Sequence, residues 1–247
     1  MGWELELDET FEGEALDPTR WLPYYLPHWS SRERAAARYE LGGGELRLRI
    51  EEDQEPWCPE FDGDVRVSSL QTGTLDGQHR FNPAAVVREE QRPARLYTPR
   101  YGRIEIRCRA TDDPDAMVAL WMFGYDGGER SAEICVCELF GRETGPGHLT
   151  VGVGVHPFGD PTIVDDFSKV RVECDPLAPH TYAAEWTTND VAFFVDGELI
   201  KTVDQSPAYP MQLMLGIYEF REGEPRGPYP KTFVVDYVRG YRLADRG

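Results

Sequence analysis

The chain has 247 residues, which is long enough to bury a sizeable hydrophobic core and fits one large all-β domain over residues 1–247. Its 44 acidic and 26 basic residues give a net charge of −18. A field of that sign repels nucleic acids and anionic membranes, so we expect neither as a partner, and we expect a monomer. No run of apolar residues approaches the roughly 18 that a membrane-spanning helix needs.

The cysteines and the N-terminus bear on the cellular environment. The five cysteines are an odd number without metal-ligand spacing, so reduced thiols are expected. Cys135 and Cys137 lack the second ligand pair that a zinc site of this type needs. The first residues have neither the basic nor the apolar segment of a signal peptide, so we expect either a cytoplasmic protein or a trimmed start.

Predicted strands follow one another along the chain. Residues 45–50 and 102–109 alternate apolar and polar side chains. Residues 117–123 are continuously apolar, which is typical of a strand covered on both faces. Glycines at alternate positions of 149–155 indicate close approach of another backbone or of a ligand. Further strands are predicted at 191–195, 198–203, 211–218 and 232–239.

Turn and helix signals complete the pattern. Asp196 and Gly197 predict a type I′ hairpin turn. The best candidate for a helix is 31–39, which contains three consecutive alanines. Arg103 is expected to be a structural partner for a carboxylate rather than a ligand-binding residue. The sequence therefore predicts an all-β sandwich of antiparallel strands.

Two glutamates in an otherwise apolar strand are the strongest functional signal. Side chains of a strand alternate between faces, so Glu133 and Glu138 would point to opposite faces of a regular strand. A β-bulge near 136–137 would bring Glu138 to the face of Glu133. Two carboxyl groups that face one cleft are the minimum set of catalytic groups for cleaving a glycosidic bond with retention. The alternative is a half-buried strand with two solvated or paired glutamates.

Six short patterns occur in a fixed order along nearly the whole chain. They are 11–17 with Trp21, 44–48, 101–107, 119–121, 182–186 with 194–197, and 235–239. Through these patterns the chain resembles glycoside hydrolase family 16, the laminarinase, lichenase and agarase group. They place residues 133–138 where that family carries the signature E-[ILV]-D-[IV]-x-E. The resemblance implies a concanavalin A-like jelly roll of two antiparallel sheets with a concave cleft.

The resemblance also implies chemical roles. Glu133 is then the nucleophile, and Glu138 is the general acid and then the general base of a double displacement. The implied activity is endo-acting hydrolysis of a neutral β-glucan or β-galactan, so the expected partner is a polysaccharide or an oligosaccharide. No cofactor is required.

Cys135 departs from the family signature, which has aspartate at this position. A thiol is a weak hydrogen-bonding group and is mostly neutral at pH 7. Three alternatives stay open: slower or pH-shifted hydrolysis, loss of hydrolysis with retained sugar binding as in a lectin, or redox or nucleophilic chemistry at Cys135. The absence of a signal peptide motivates a further alternative, a fold relative that binds protein or a small glycoconjugate.

Further positions are assigned by the same resemblance. Trp121 is either a platform in the cleft or part of the core, and His156 is expected to face the cleft. Glu33 resembles a substrate-binding segment in which serine replaces asparagine. Tyr218 and Glu219 lie where relatives have a substrate-binding rim, so substrate preference should differ from that of laminarinases.

One position carries the metal expectation. Asp236 matches a position at which some relatives hold a structural calcium ion, for which an oxygen-rich site on an acidic protein is suited. The alternative is that Asp236 pairs with an arginine.

Overall fold

The computed structural model describes residues 2–126, 130–221, 223 and 227–244. Within them the chain is built of antiparallel strands with little helix, which confirms the all-β prediction. The strands are β1 (Trp3–Glu9), β2 (Arg38–Gly42), β3 (Glu45–Ile50), β4 (Arg66–Gln71), β5 (Gly73–Thr74), β6 (Ala94–Arg95), β7 (Gly102–Cys108), β8 (Ala116–Gly124), β9 (Glu133–Phe140), β10 (His148–His156), β11 (Asp166–Glu173), β12 (His180–Trp186), β13 (Val191–Val195), β14 (Glu198–Val203), β15 (Met211–Glu219) and β16 (Lys231–Leu243). The helical segments in these ranges are α1 (Pro59–Asp62) and the 3₁₀ turns Pro27–Trp29 and Gly141–Glu143.

Two large antiparallel sheets enclose the main core. The eight-stranded sheet has the order β14–β13–β12–β7–β16–β3–β2, and β1 also pairs with β16. The six-stranded sheet has the order β11–β10–β9–β8–β15–β4. This is the two-sheet sandwich that the sequence predicts. Among the described residues, no helix has the length and apolar character needed to span a membrane.

Strand β7 shows how alternation in the sequence builds this core. Ile104, Ile106 and Cys108 are buried between the sheets, and each isoleucine contributes about 1.5–3 kcal/mol by its burial. The side chains between them point outward, where Arg103 donates to Glu105 with an Nη2–Oε2 distance of 2.7 Å. The expectation that Arg103 binds a carboxylate is confirmed.

Strands β8 and β15 are buried along their whole length. One face packs in the main core, and the other is covered by loop side chains such as Trp29 and Trp57, which cluster with Trp121 and Tyr218. The predicted burial of 117–123 on both faces is confirmed. The open part of the concave face therefore lies over β9, β10 and β11.

The predicted type I′ turn is confirmed, whereas the helix predicted at 31–39 is wrong. Asp196 and Gly197 have φ values of 48° and 83°, and they join β13 to β14. Residues 32–35 form turns, and Arg38 begins β2, which pairs with β3. Tyr39 packs against the main core from this strand, so tertiary packing outweighs the helix propensity of the alanines.

Asp236 pairs with arginines. Its Oδ2 lies 2.8 Å from Nε of Arg107, and its Oδ1 lies 3.3 Å from Nη1 of Arg109. Two guanidinium groups already neutralise this carboxylate and use its oxygens. The surroundings of Asp236 therefore do not fit a calcium ion. The alternative prediction, that Asp236 pairs with an arginine, describes the structure.

The prediction that Glu219 binds substrate is wrong. Tyr218 points to the concave face, so the next side chain along the strand points to the opposite face. Glu219 is fully buried there and accepts hydrogen bonds from Arg66 at 3.1 Å and from Tyr229 at 2.6 Å. It belongs to a buried ionic network that joins β4, β15 and β16.

Lys231 is the ammonium of this network, and its replacement tests the network. Its Nζ lies 2.6 Å from Asp113 Oδ2 and 3.7 Å from Glu219 Oε1, and the side chain is 0% exposed. Lys231→Met leaves buried carboxylates without this cation, so we expect the free energy of unfolding in urea to fall by about 3–5 kcal/mol.

The control is Arg171→Met, which breaks an exposed pair with Glu173 and should cost less than about 1 kcal/mol. Equal small losses in the two variants would contradict the assignment of Lys231 as a structural ammonium.

Candidate active site

A β-bulge interrupts β9 at Val136. Leu120 and Trp121 are consecutive in β8, yet they pair with Cys137 and Cys135, so Val136 is the extra residue. The side chains of Val136 and Cys137 both enter the main core. The bulge predicted near 136–137 is confirmed.

The bulge places three polar side chains on the concave face. Because alternation restarts after two consecutive core residues, Glu138 shares the face of Glu133 and Cys135. Gly152 on β10 pairs with Glu138. A Cβ atom on Gly152 would lie 2.6 Å from the ring of Phe167 and 3.2 Å from Cβ of Glu138, so only glycine leaves room for both.

Glu133 is a buried carboxyl with two partners. It is 7% exposed, its Oε1 lies 3.1 Å from Nε2 of His79, and its Oε2 accepts from the thiol of Cys135 at 3.9 Å. Burial raises the pKa of Glu133 well above its usual range, and the negative charges of Glu138 and then Asp165 raise it further.

The pKa of Glu138 is raised less strongly than that of Glu133. Burial raises its pKa, whereas a hydrogen bond from Cys135 and the nearby His156 and Lys169 act in the opposite direction. Burial also raises the pKa of Cys135 well above its usual range, so the thiol stays protonated and can donate. Cys135 is thus a neutral donor within reach of both carboxyls.

His79 is a site residue that the sequence analysis missed. It is 5% exposed, and its ring stacks on Phe158 with ring centroids 4.4 Å apart. The ring centroids of His79 and Trp121 are 5.1 Å apart. Burial, and then the neighbouring His28, lower the pKa of His79 to about 3. The ring is neutral at neutral pH, so its 3.1 Å contact with Glu133 joins an uncharged imidazole to a carboxyl group and is not an ion pair.

The local sequence gives little sign of this role. His79 lies in the loop between β5 and β6, with a φ of 50°, and the loop has no regular hydrophobic period. The left-handed φ of His79 is known only from the structure, so the sequence offers no signal for this residue.

His156 lies beside the two glutamates, where the sequence analysis expected it. It pairs with Glu133 across β10 and β9. Its Nδ1 lies 3.1 Å from Oδ2 of Asp165, and its ring stacks on Phe167 with centroids 4.9 Å apart. These two contacts fix the ring over the open part of the concave face.

Trp121 and Tyr218 form the buried floor of the site. Nε1 of Trp121 donates to the hydroxyl of Tyr218 at 2.9 Å, and the two residues are 6% and 4% exposed. Glu33 is elsewhere: it is exposed and lines a surface depression with Arg34 and Asp53. Among the described residues, no contact joins Glu33 to the two glutamates.

The same face offers soft and hard ligand atoms. Glu133, Cys135 and His156 each place one potential metal-ligand atom within 4.8 Å of the other two. The described residues of the site thus hold two carboxyls of raised pKa, a neutral thiol and two imidazoles. Such a pair of carboxyls can supply a nucleophile and a proton donor to one substrate.

Comparisons with known proteins extend the resemblance. Residues 96–238, more than half of the chain, match the glycosyl hydrolases family 16. A β-glucanase from Rhodothermus marinus is 26% identical over 277 residues, and the match covers 98% of this chain and 86% of that protein.

Solved structures agree in fold. A GlcNAcα1-4Gal-releasing endo-β-galactosidase from Clostridium perfringens has a TM-score of 0.88 and 31% identity, covering 98% of this chain and 63% of that chain. The chain therefore spans less than two thirds of that protein. The catalytic domain of an endo-1,3-β-glucanase (laminarinase) from Thermotoga petrophila RKU-1 has a TM-score of 0.70 and 18% identity, with 99% of each chain covered.

The coupling between the two glutamates is testable by titration. Glu138→Gln removes a negative charge that raises the pKa of Glu133, so that pKa should fall. Carbon-13 NMR titration of the side-chain carboxyls measures it. Glu173→Gln, on the exposed part of β11, should leave it unchanged. An unaltered Glu133 titration in Glu138→Gln would show that the two carboxyls are not coupled.

Proposed function

The chain belongs to glycosyl hydrolases family 16, and we propose that it is an endo-acting hydrolase of β-linked glycans that works with retention. Glu133 is the nucleophile, and Glu138 is the general acid and then the general base. The observation that carries this proposal is the bulge at Val136, which puts both glutamates on one concave face. A regular strand would have buried one of them in the main core.

The chemistry has two steps. The ionised carboxylate of Glu133 attacks the anomeric carbon while Glu138 protonates the departing glycosidic oxygen, which gives a covalent glycosyl-enzyme. Glu138 then removes a proton from water, which attacks the same carbon and releases Glu133. Burial raises the pKa of both glutamates, and that of Glu133 more strongly, so the assignment of the two roles is supported by the family resemblance and not by the pKa directions.

The proposed substrate is a neutral glycan with a β-galactosidic linkage. The Clostridium perfringens endo-β-galactosidase exceeds the Thermotoga petrophila laminarinase in both identity and TM-score, which supports a β-galactoside over a β-glucan. The net charge of −18 and the two carboxyls of the site disfavour an anionic glycan.

His79 is proposed as a positioning residue for the nucleophile. Its Nε2 faces Glu133, and its buried Nδ1 has no partner among the described residues. A neutral imidazole with its proton on Nε2 leaves only a lone pair unsatisfied, which costs less than an orphaned N–H. We propose that this Nε2–H, 3.1 Å from Oε1, donates to Glu133, stabilises its ionised form and fixes its orientation.

Replacement of His79 should change the pH profile as well as the rate. Without the donor the pKa of Glu133 rises, so the acid limb of kcat/KM shifts to higher pH. His79→Leu should lower kcat/KM about 10-fold to 100-fold, as expected for a hydrogen bond to a charged group worth about 1.5–3 kcal/mol. His79→Gln keeps an N–H donor and should recover part of the loss.

The control for this series is His148→Gln, which changes a histidine near the far end of β10. If His79→Leu lowered only thermal stability and left the pH profile unchanged, the positioning role would be refuted.

The glutamate roles are tested on a panel of β-galactans, galactose-containing glycoprotein oligosaccharides and β-glucans. Glu138→Gln should lose about 10²-fold to 10⁴-fold in rate, as expected for loss of a general acid–base group, and Glu133→Gln should lose at least as much. Proton NMR of the first product should show the β-anomer. Glu52→Gln, in an exposed loop, is the matched control.

The outcomes separate the proposal from its alternatives. An α-anomer as first product, or full activity of Glu133→Gln, would overturn the retaining assignment. A wild-type protein that binds the glycans without cleaving them, and whose Cys135→Asp variant cleaves them, would instead be a lapsed hydrolase.

A further inference from the structure

We infer that the concave site also binds a thiophilic divalent cation of the Zn²⁺ type through Cys135, His156 and Glu133, and that the bound cation blocks the hydrolase. The ligand atoms of these residues lie within 4.8 Å of one another. A thiol, an imidazole and a carboxylate are the donor set that zinc prefers, whereas calcium and magnesium prefer oxygen alone.

The spacing needs only a small contraction to close on a metal. Sγ of Cys135 and Oε2 of Glu133 are 3.9 Å apart. Metal–ligand bonds of about 2.0–2.3 Å in a tetrahedron separate the ligand atoms by about 3.3–3.8 Å. Rotamer adjustments of about 1 Å therefore bring the three atoms to coordination distance.

Two of the ligands already have outer partners of the kind found around zinc. Nδ1 of His156 faces Oδ2 of Asp165 at 3.1 Å, which leaves Nε2 to bind the metal. Such carboxylate–histidine–metal arrangements orient the ring and increase its basicity. Oε1 of Glu133 lies 3.1 Å from Nε2 of His79, and Oε2 lies on the side of the thiol.

The bulge decides which cysteine can serve. Cys137 points into the main core, where it contacts Cys108, whereas Cys135 points to the concave face. The protein thus supplies three ligands and leaves a fourth position for water or for Glu138. The side chain of His156 is 25% exposed and is the most exposed of the three ligands.

Binding involves no oxidation. The thiol proton of Cys135 leaves to solvent as the sulfur–metal bond forms, and the ion replaces that proton. The blocking effect rests on the proposed function, because a metal on the carboxylate of Glu133 removes the nucleophile from the anomeric carbon. The binding itself does not depend on that function.

Cd²⁺ titration of the metal-free protein tests the site directly. The ultraviolet thiolate-to-cadmium charge-transfer band should grow to one equivalent, and Zn²⁺ should displace it. Cys135→Ser should abolish the band, and Asp165→Asn should weaken affinity about 10-fold to 100-fold. Cys174→Ser, which removes a half-buried thiol, should keep both the band and the glycan hydrolysis. Circular dichroism and thermal unfolding check that each variant is folded.

Absence of the band in the wild type, or its survival in folded Cys135→Ser, would overturn the inference. A band without any glycan hydrolysis would leave the site standing and refute the proposed function. Hydrolysis that continues unchanged at a Zn²⁺ concentration that displaces all of the bound Cd²⁺ would refute the blocking effect.

Discussion

Desolvation of two neighbouring carboxyl groups is the constraint on which the active site depends. Water is largely excluded from Glu133, and each charge in the pair makes the other harder to form. The groups in contact with Glu133 are neutral rather than cationic: the imidazole of His79 at 3.1 Å and the thiol of Cys135, which donates to it. A neutral thiol between the glutamates adds no third negative charge, which an aspartate at that position would add when ionised. The change from aspartate to cysteine is therefore compatible with a working carboxyl pair.

Local patterns in the sequence were sufficient to predict features that lie within a single strand. Alternation in 102–109 and the apolar run in 117–123 predict β7 and β8. An alternating strand has one buried face, and a continuously apolar strand has two. The bulge was predictable for the same reason. Two glutamates can share a face over this spacing only if the strand gains one residue, and Val136 is that residue.

Features that depend on distant segments could not be predicted in this way. His79 reaches Glu133 from a loop far away in sequence, and nothing in that loop indicates which strand it covers. Glu219 was misplaced because a resemblance gives the position of a residue but not the face to which its side chain points. Asp236 was ambiguous, since its arginine partners come from another strand and from the residue after it. Such partners are set by the tertiary structure and cannot be predicted from the local sequence.

The bulge has a consequence for how the sheet assembles. If β9 slipped by one residue against β8, Glu133 and Cys135 would exchange places with Ile134 and Val136. A carboxyl group would then lie between the two sheets, away from any donor, at a cost of several kcal/mol. The misaligned sheet is thus much less stable than the native one. The residues assigned to the chemistry also select the correct strand alignment during folding, so a substitution that neutralises Glu133 would relax the fidelity of β-sheet assembly.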